Sequence, residues 1–441
     1  GNPTTISYDG GRMLYSTVDG VAVTSVVGTD LGDQLGRNGA TWNGSVVDLG
    51  AGGDSTSNLV LTDAANISFG SGNDSMSFEM GHAALTSLDT TKLDGGTGSD
   101  TLNFYDSTLS SGYTLNLTIG GATNFENITG SNVNEIINGD GNANTLKGYG
   151  GLDTISGLAG NDTLDGGDGD DTLDGGTGAD TITTGSGSDT IILRVGDGGS
   201  TLADADTITD FTDGTDVLGL GGSLLYTDLT IAQGTGSNSG DTIVSAGSEY
   251  LAILTGITAS NVNYFDVASM ATGNQTLSGT SGDDVLIGAA GVDTVTTGTG
   301  TDIILTNAGD DVITIDGAGN KTINGGTGTD GLNITSISNL STATELLIET
   351  NGSYFNITLA DGSVITASNL EDLKLSGVDY GVYTYQGEEI GDDSVNSLRG
   401  VFFDTATGVA YLAKTAIQNT DMNGNPTTIS YSGGRMLYST V

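Results

Sequence analysis

A nine-residue period runs through the middle of the chain and constrains its fold more than any other feature. From 139 to 192 the sequence divides without gaps into GDGNANTLK, GYGGLDTIS, GLAGNDTLD, GGDGDDTLD, GGTGADTIT and TGSGSDTII. The eighth position is always Leu or Ile. Six turn-forming residues followed by a three-residue strand bury one aliphatic side chain per repeat. Two repeats then make one coil, so residues 18 apart should stack in register at about 4.8 Å.

The sixth position of the repeat carries a column of acidic or amide side chains. In the first array, these residues are Asn144, Asp153, Asp162, Asp171, Asp180 and Asp189, with Glu135 one repeat upstream. A second array begins at Gly279 and places Asp284, Asp293, Asp302 and Asp311 nine apart; Asp330 follows after a repeat whose column holds Lys321, one residue late. Isolated copies of the motif carry Asp54, Asp74 and Asp100. At Asn144 and Lys321 we expect any ligand site to be absent or altered.

These repeats resemble the RTX (repeats-in-toxin) nonapeptide G-G-x-G-x-D-x-U-x, in which U is a large aliphatic residue. The resemblance implies a parallel β-roll whose turns come from GGxGxD and whose short strands come from xUx. It also implies calcium as the cofactor. Residues 205–222, ADTITDFTDGTDVLGLGG, resemble the segment that commonly follows RTX arrays and begins a β-structured cap. An ordinary β-hairpin region is the alternative for this segment.

The physical argument for a cation is independent of the resemblance. The chain has 55 acidic against 10 basic residues and a formal charge of −45, and stacked carboxylates repel one another. Calcium accepts six to eight oxygen ligands, whereas magnesium demands a tighter octahedron. Turn preference and solubility are the alternative explanation, but they do not restrict Asp to one position in nine. The predicted calcium ligands are Glu135, Asn144, Asp153, Asp162, Asp171, Asp180, Asp189, Asp284, Asp293, Asp302, Asp311, Asp330, Asp54, Asp74 and Asp100.

An 18-residue coil buries only two aliphatic side chains, and the chain has no cysteine for disulfides. The arrays should therefore fold only when calcium binds. The predicted fold class is all-β, with parallel β-roll arrays joined by β-sandwich-like or β-helical caps. The predicted segments are a β-rich part at 1–48, a degenerate repeat segment at 49–129, roll 1 at 130–192, a cap at 193–272, roll 2 at 273–333, a β-rich domain at 334–423 and the start of a next unit at 424–441.

Several functions are disfavoured by what the sequence contains. His82 is the only histidine, so histidine-based zinc sites and catalytic triads cannot form, and we expect no enzymatic activity. Trp42 is the only tryptophan and is more typical of a structural residue than of a ligand-stacking one. The ten basic residues form no cluster, which argues against nucleic acid as a partner. No apolar run is long enough to span a bilayer, and the first residues do not form an export signal.

The largest repetition concerns the ends of the chain. Residues 1–18, GNPTTISYDGGRMLYSTV, return at 424–441 with Asp9 replaced by Ser432. This recurrence favours a tandem array with a period near 423 residues over a terminal duplication. We therefore expect one unit of an extracellular bacterial surface protein of the S-layer, sheath or filament kind, which self-associates and could contact cell-surface polysaccharide. The RTX resemblance also implies that the protein leaves the cell by type I secretion. An adhesin stalk and the repeat module of a secreted hydrolase or toxin remain alternatives.

Overall fold

The protein is all-β in a computed structural model. The structure describes residues 5–7, 13–14, 17–18, 21–22, 25–29, 34–35, 46–56, 66–78, 92–104, 113–117, 122–335, 347–351, 354–359, 362–370, 372–375, 378–385, 400–404, 409–412, 428–432 and 435–439. These residues contain no α-helix, and the short 3-10 helices among them are Leu202–Asp204, Tyr226–Asp228, Gly236–Asn238 and Tyr264–Asp266. Trp42 and His82 lie outside the described residues. No described helix has the length and apolar character required to cross a membrane.

The chain divides into two units, the first formed by Gly1–Leu224 and Asp228–Val267, the second by Leu225–Thr227 and Ala268–Val441. In the first unit, successive repeats place their strands alternately on two sides of a coil, with one sheet on one side and two parallel sheets on the other. One sheet contains Met13–Leu14, Gln34–Leu35, Ser55–Thr56, Ser75–Phe78, Thr101–Phe104, Asn127–Thr129, Thr145–Gly150, Thr163–Asp168, Thr181–Ser186 and Asp206–Ile208. The other side of the coil contains Thr5–Ser7, Ser25–Thr29, Val46–Gly50, Asn66–Ser68 and Lys92–Asp94, then Tyr113–Asn116, Glu135–Asn138, Thr154–Ser156, Thr172–Asp174, Thr190–Leu193 and Val217–Leu220. Two-residue strands pair as Thr17–Val18 with Val21–Ala22 and as Ser71–Gly72 with Thr97–Gly98.

The predicted 18-residue register is confirmed between 127 and 190. Thr145 pairs with Thr163 in one sheet, and Thr154 pairs with Thr172 in the other. The eighth-position side chains point inward and form the core of the coil. Those with no exposed surface are Ile137, Leu146, Ile155, Leu164, Leu173, Ile182 and Ile191. A single aliphatic column from each sheet therefore supplies the apolar interior of this segment.

The coil continues upstream of the regular repeats with longer turns. Ser55 stacks on Ser75, and Ser75 on Thr101, so these coils are 20 and 26 residues long. The motif copies at Asp54, Asp74 and Asp100 therefore lie in consecutive coils of one roll. The interpretation of these copies as isolated, which rests on the sequence pattern, is wrong. Larger side chains fill this part of the core, where Phe69 packs edge-on against Phe125 with 6.0 Å between ring centroids.

The cap predicted after the first array is present as strands that extend the roll. Asp206–Ile208 pairs in parallel with Glu249–Leu254, which is antiparallel to Thr242–Ala246; that strand in turn pairs with Leu229–Gln233. Antiparallel strands therefore cover the end of one parallel sheet, where unpaired backbone groups would otherwise lie. The structure also describes a short strand at Val267–Ser269.

The second unit repeats the same architecture around its own core. One parallel ladder contains Thr276–Ser278, Thr294–Thr296, Val312–Ile315, Gly331–Ile334 and Asp372–Leu375, and the other contains Val285–Ile287, Asp302–Leu305, Lys321–Asn324 and Val364–Ser368. The strands Val378–Tyr385, Gly400–Asp404, Val409–Leu412, Leu347–Asn351 and Tyr354–Thr358 join the two ladders into one sheet. Thr428–Ser432 and Arg435–Ser439 form a separate antiparallel pair. The predicted domain boundaries stay a prediction.

Candidate metal centre

The sixth-position side chains lie inside the roll, immediately before each short strand. Asp162, Asp171, Asp180 and Asp189 are at most 2% exposed, although each carries an ionisable group. Burial of a carboxylate is costly unless hydrogen bonds or a cation compensate it. The buried members of the predicted ligand set are Asp54, Asp74, Asp100, Glu135, Asn144, Asp153, Asp162, Asp171, Asp180, Asp189, Asp293, Asp302, Asp311 and Asp330, while Asp284 is half-buried.

One oxygen of each carboxylate is held by the backbone of the preceding coil. The N–H of Asp162 donates to Oδ1 of Asp180 at 2.7 Å, and the N–H of Asp171 donates to Oδ1 of Asp189 at 2.8 Å. The same bond links every step of two columns, which we call the Asp162 ladder (Asn144, Asp162, Asp180, Asp206) and the Asp171 ladder (Glu135, Asp153, Asp171, Asp189, Asp216). The two ladders correspond to the two alternating columns that an 18-residue coil predicts.

The second oxygen of these carboxylates has a different environment. Oδ2 of Asp162, Asp171 and Asp189 is buried and accepts no hydrogen bond. It lies against the first glycine of its own repeat: a Cβ on Gly157 would be 2.3 Å from Asp162 Oδ2 and 2.6 Å from the carbonyl oxygen of Gly175. A carboxylate oxygen without a donor and a carbonyl oxygen of the next coil are therefore neighbours. This arrangement provides oxygen ligands of two kinds for a cation between coils.

Burial also alters the protonation of these groups. Burial raises the pKa of Asp153 and of Asp162 to about 7, and that of Asp171 and of Asp189 to about 6, although the backbone hydrogen bond to each opposes the shift. The pKa of Asp206, at the end of the Asp162 ladder, is raised to about 8, chiefly by burial and also by the neighbouring Asp180. A bound cation would restore the ionised form of these carboxyl groups.

Two members of the ladders depart from this geometry. The side-chain oxygen of Asn144 accepts from the N–H of Asp140 at 2.8 Å, so it lacks the unbonded oxygen of the aspartates. Glu135 accepts from both the hydroxyl and the N–H of Ser131. Asn144 therefore offers a neutral oxygen that already accepts a hydrogen bond, and the altered site expected there stays a prediction.

The upstream motif copies and the second array form ladders of the same kind. The N–H of Asp54 donates to Asp74 Oδ1 at 2.6 Å, and the N–H of Asp74 donates to Asp100 Oδ1 at 2.8 Å. In the second unit, the N–H of Asp293 donates to Asp311 Oδ1 at 2.7 Å, and the N–H of Asp311 donates to Asp330 Oδ1 at 2.9 Å. The N–H of Asp284 donates to Asp302 Oδ1 at 3.0 Å, and Lys321 occupies the next position of that column. The structure thus joins all the predicted ligand residues into five hydrogen-bonded series of stacked turns.

Several residues of the site were missed by the sequence pattern. Asp206 and Asp216 extend the two ladders into the cap, and Glu126 accepts from the N–H of Asp100 at 2.8 Å. The spacing Asp-x-aliphatic in DTI and DVL could have identified the two aspartates. Fifth-position side chains form a second set of bonds, since the N–H of Ala179 donates to Asn161 and that of Ser188 donates to Asp170. Only the stacked geometry reveals these bonds.

Comparison with known proteins identifies the repeats. The family model described as the RTX calcium-binding nonapeptide repeat matches in four copies, at residues 129–164, 156–191, 165–198 and 271–304. These segments are RTX repeats. Repeats of this kind bind calcium and are typical of secreted, extracellular proteins. The matches leave out the coils at Asp54, Asp74 and Asp100 and the repeat that contains Lys321.

Solved structures with RTX-type folds align with parts of the chain. The solution structure of the AlgE6R3 subunit of the Azotobacter vinelandii mannuronan C5-epimerase aligns at 24% identity over 32% of this chain and 80% of that chain, with a TM-score of 0.18. The crystal structure of the extracellular lipase LipA from Serratia marcescens aligns at 13% identity over 62% of this chain and 43% of that chain, with a TM-score of 0.17. A search of curated proteins finds no significant match.

The chemistry of the RTX turns fits calcium. Calcium prefers hard oxygen ligands in flexible geometry, and the turns supply buried carboxylate oxygens without donors next to main-chain carbonyl oxygens. Among the described residues, no three side chains of His, Cys, Asp or Glu converge as a metal cage. Main-chain oxygens would therefore complete the coordination shell, with Asp162 and Asp180, or Asp171 and Asp189, contributing from adjacent coils. Which residues ligate calcium in the protein stays a prediction.

Proposed function

We propose that this chain is a calcium-dependent structural unit of a secreted bacterial surface protein that self-associates into an S-layer, sheath or filament. The observation that carries the proposal is the pair of buried carboxylate ladders, in which no basic side chain of the described residues forms an ion pair with Asp162, Asp171 or Asp189. The stacking of coils built this way would depend on a divalent ion. We propose a mechanical or spacing role for the stacked coils and no catalytic activity.

The recurrence of 18 residues at a distance of 423 supports assembly from tandem units. Units that follow one another at a constant period present the same surfaces repeatedly, which favours a lattice or filament with regular contacts. The excess of acidic residues, which gives a charge of −45, opposes lateral contact between bare chains. Calcium would both fold the rolls and reduce this repulsion, so folding and self-association should share one trigger.

Sedimentation velocity and electron microscopy of the chain, in calcium and in EDTA, test the proposal. We expect large ordered particles in calcium and dissociated chains in EDTA, with magnesium unable to replace calcium. The double variant Asp162→Asn/Asp180→Asn should need more calcium for assembly, while Asp213→Asn, which removes a charge from an exposed turn, should behave as wild type. Elongated monomers at all calcium concentrations would favour an adhesin stalk instead. A catalytic domain in the neighbouring sequence would favour the secretion module of an enzyme or toxin.

A further inference from the structure

Lys321 is a buried lysine in the middle of the second roll. It occupies the column position of an aspartate, and its strand Lys321–Asn324 pairs with Asp302–Leu305, with Lys321 directly beside Asp302. The residue is 1% exposed, and it is among the largest fully buried side chains of the described core. A lysine in this setting is costly unless its charge and all three of its N–H donors are satisfied.

The ammonium group forms one ion pair and two hydrogen bonds with oxygens of two adjacent turns. Lys321 Nζ lies 2.8 Å from Asp302 Oδ2, and neither side chain is exposed. It also donates to the carbonyl oxygen of Gly300 at 2.8 Å and to that of Ala318 at 3.3 Å. Gly300 and Ala318 belong to successive coils, because the N–H of Gly300 donates to the carbonyl of Ala318. One carboxylate oxygen and two turn carbonyls thus surround a single positive charge.

Apart from its contact with Lys321, Asp302 has the same position and hydrogen bond as the other aspartates of the column. Its Oδ1 accepts from the N–H of Asp284 at 3.0 Å, as in every ladder. Its Oδ2 is buried and accepts no hydrogen bond, like Oδ2 of Asp162, Asp171 and Asp189, but here this oxygen forms an ion pair with the lysine. The other described ion pairs, Lys147 with Asp165 and Arg194 with Asp174 and Asp197, involve partly exposed side chains.

We propose that the Lys321 ammonium takes the place of a calcium ion between the turns at 297–302 and 316–321. These two stacked turns, which form one step of the second roll, are then held together without metal. The inference rests on the proposed calcium dependence of the other turns. Replacing one aspartate of a step by lysine removes one negative charge and supplies one positive charge. A step with two carboxylates and one divalent cation is neutral, and so is a step with one carboxylate and one ammonium.

The arrangement has a consequence for folding. The strands on both sides of this step, Asp302–Leu305 and Lys321–Asn324, should stay associated when calcium is removed. They carry the buried core residues Ile304 and Ile323, so a metal-independent segment would persist within the second unit. Calcium-dependent coils could then add to a segment that is already ordered.

Amide hydrogen exchange in EDTA tests the proposal directly on the wild-type chain. We expect the strands Asp302–Leu305 and Lys321–Asn324 to exchange more slowly than the calcium-dependent strand Thr163–Asp168. Lys321→Met keeps the bulk of the side chain but removes the charge, and should accelerate exchange in these strands by about 100-fold, since one partner of a buried pair is lost. Lys147→Met, which breaks an exposed pair, is the control and should leave the exchange unchanged.

Calcium stoichiometry provides the second measurement. Lys321→Asp restores an acidic column, and we expect it to bind one more calcium ion per chain than the wild type by titration calorimetry, while losing its exchange protection in EDTA. Equal stoichiometry of the folded variant and the wild type would overturn the proposal, and so would rapid exchange of the wild-type strands in EDTA. Failure of the proposed function is distinguishable, because it would appear as a wild-type chain that binds no calcium at all.

Discussion

Asp162 uses its two carboxylate oxygens for different interactions. Oδ1 accepts the N–H of Asn144 at 2.7 Å, which holds the turn to the preceding coil. Oδ2 accepts no hydrogen bond and lies beside Gly157 and the carbonyl of Gly175. The first bond orients the side chain, and the orientation places the free oxygen where a cation between coils would reach it. Stability and ion binding are therefore coupled within a single residue.

The raised pKa values predict how the metal-free protein responds to pH. Burial raises the pKa of Asp153 and Asp162 to about 7, compared with about 4 in an unfolded chain. A carboxyl with a raised folded pKa stabilises the fold below its unfolded pKa, and this contribution is lost as the pH rises through the folded value. In EDTA, the free energy of unfolding should therefore fall between about pH 4 and about pH 7. Urea unfolding across this range measures it.

Calcium should reverse this dependence, since the ion binds the deprotonated carboxylate and competes with protons. Calcium affinity should therefore decrease on acidification, while the metal-free fold gains stability. Asp162→Asn should weaken the pH dependence in EDTA, whereas Asp213→Asn removes an equal charge from an exposed turn and should change it less. Greater stability at high pH in EDTA would contradict the role assigned to the buried carboxyls.

Gly157 illustrates why the first position of the repeat is glycine. Its backbone does not require a positive φ, but a methyl group there would overlap Asp162 Oδ2 and the Gly175 carbonyl. We expect Gly157→Ala to destabilise the calcium-loaded protein by about 1–3 kcal/mol, because the ladder must shift to make room. Gly141→Ala is the matched control, since no atom lies within 4 Å of its added Cβ. Equal thermal midpoints for the two variants would show that the ladder tolerates the methyl group.

At the scale of the element, the cap is attached to the roll by carboxylates as well as by strand pairing. Asp210 accepts from the N–H of Thr184 at 2.8 Å and from that of Gly185 at 3.0 Å. Thr184 is fully buried, so water cannot replace a lost acceptor. The last turn of the first roll is therefore stabilised by a residue of the cap.

Asp210→Ala should loosen this turn without unfolding the core. Leaving the buried N–H of Thr184 without an acceptor costs about 1–3 kcal/mol. Hydrogen exchange in calcium should accelerate at Thr184 and Gly185, while the amides of Thr163–Asp168 should keep their protection. Asp213→Ala, three residues along the same loop, should leave exchange unchanged at both places. Uniform acceleration across the roll by Asp210→Ala would mean that the cap and the roll unfold as one element.

The regular strands were predictable from sequence, but the longer coils were not. The nine-residue period correctly predicted the strands and register between 139 and 192, because each repeat specifies its own turn and its own buried aliphatic residue. The coils through Asp54, Asp74 and Asp100 have lengths of 20 and 26 residues, so no constant period reveals them. Insertions lengthen a turn, while the Asp-x-aliphatic segment still stacks on the coil before it. Only the three-dimensional structure shows that coils of different lengths keep this segment in register.

The same limit applies to the candidate site. The sequence pattern predicted which residues stack, since Asp162 and Asp180 are 18 apart, but not that their side chains are buried and hydrogen-bonded to the backbone. It indicated Lys321 as a defect in the column. The structure places its ammonium among three oxygens, because a one-residue insertion still allows Lys321 to stack on Asp302. Local composition cannot convey this contact.

For the whole molecule, the net charge opposes the close approach of carboxylates that the fold requires. A chain with a net charge of −45 repels itself, yet the rolls bring carboxylates together one coil apart. Simple screening by salt would weaken the repulsion between exposed groups but would reach buried carboxylates much less. Above the pKa of Asp171, which burial raises to about 6, the carboxylate carries no proton, and only an ion that enters the turns can satisfy Oδ2. Folding of the molecule should therefore depend on the kind of ion and not only on ionic strength.

Circular dichroism and sedimentation of the intact chain test this distinction. In EDTA at low salt and neutral pH, we expect most of the β signal to be lost and the chain to be expanded, with residual structure around Lys321. Calcium should restore a compact β-rich state cooperatively, because each coil stacks on its neighbours. Magnesium at the same ionic strength should restore much less, since it retains water and requires a tighter octahedron than carbonyl-rich turns provide. Sodium chloride should make the chain less expanded without restoring the β signal. An unchanged β signal in EDTA would contradict the prediction, because it would show that the ladders fold without metal.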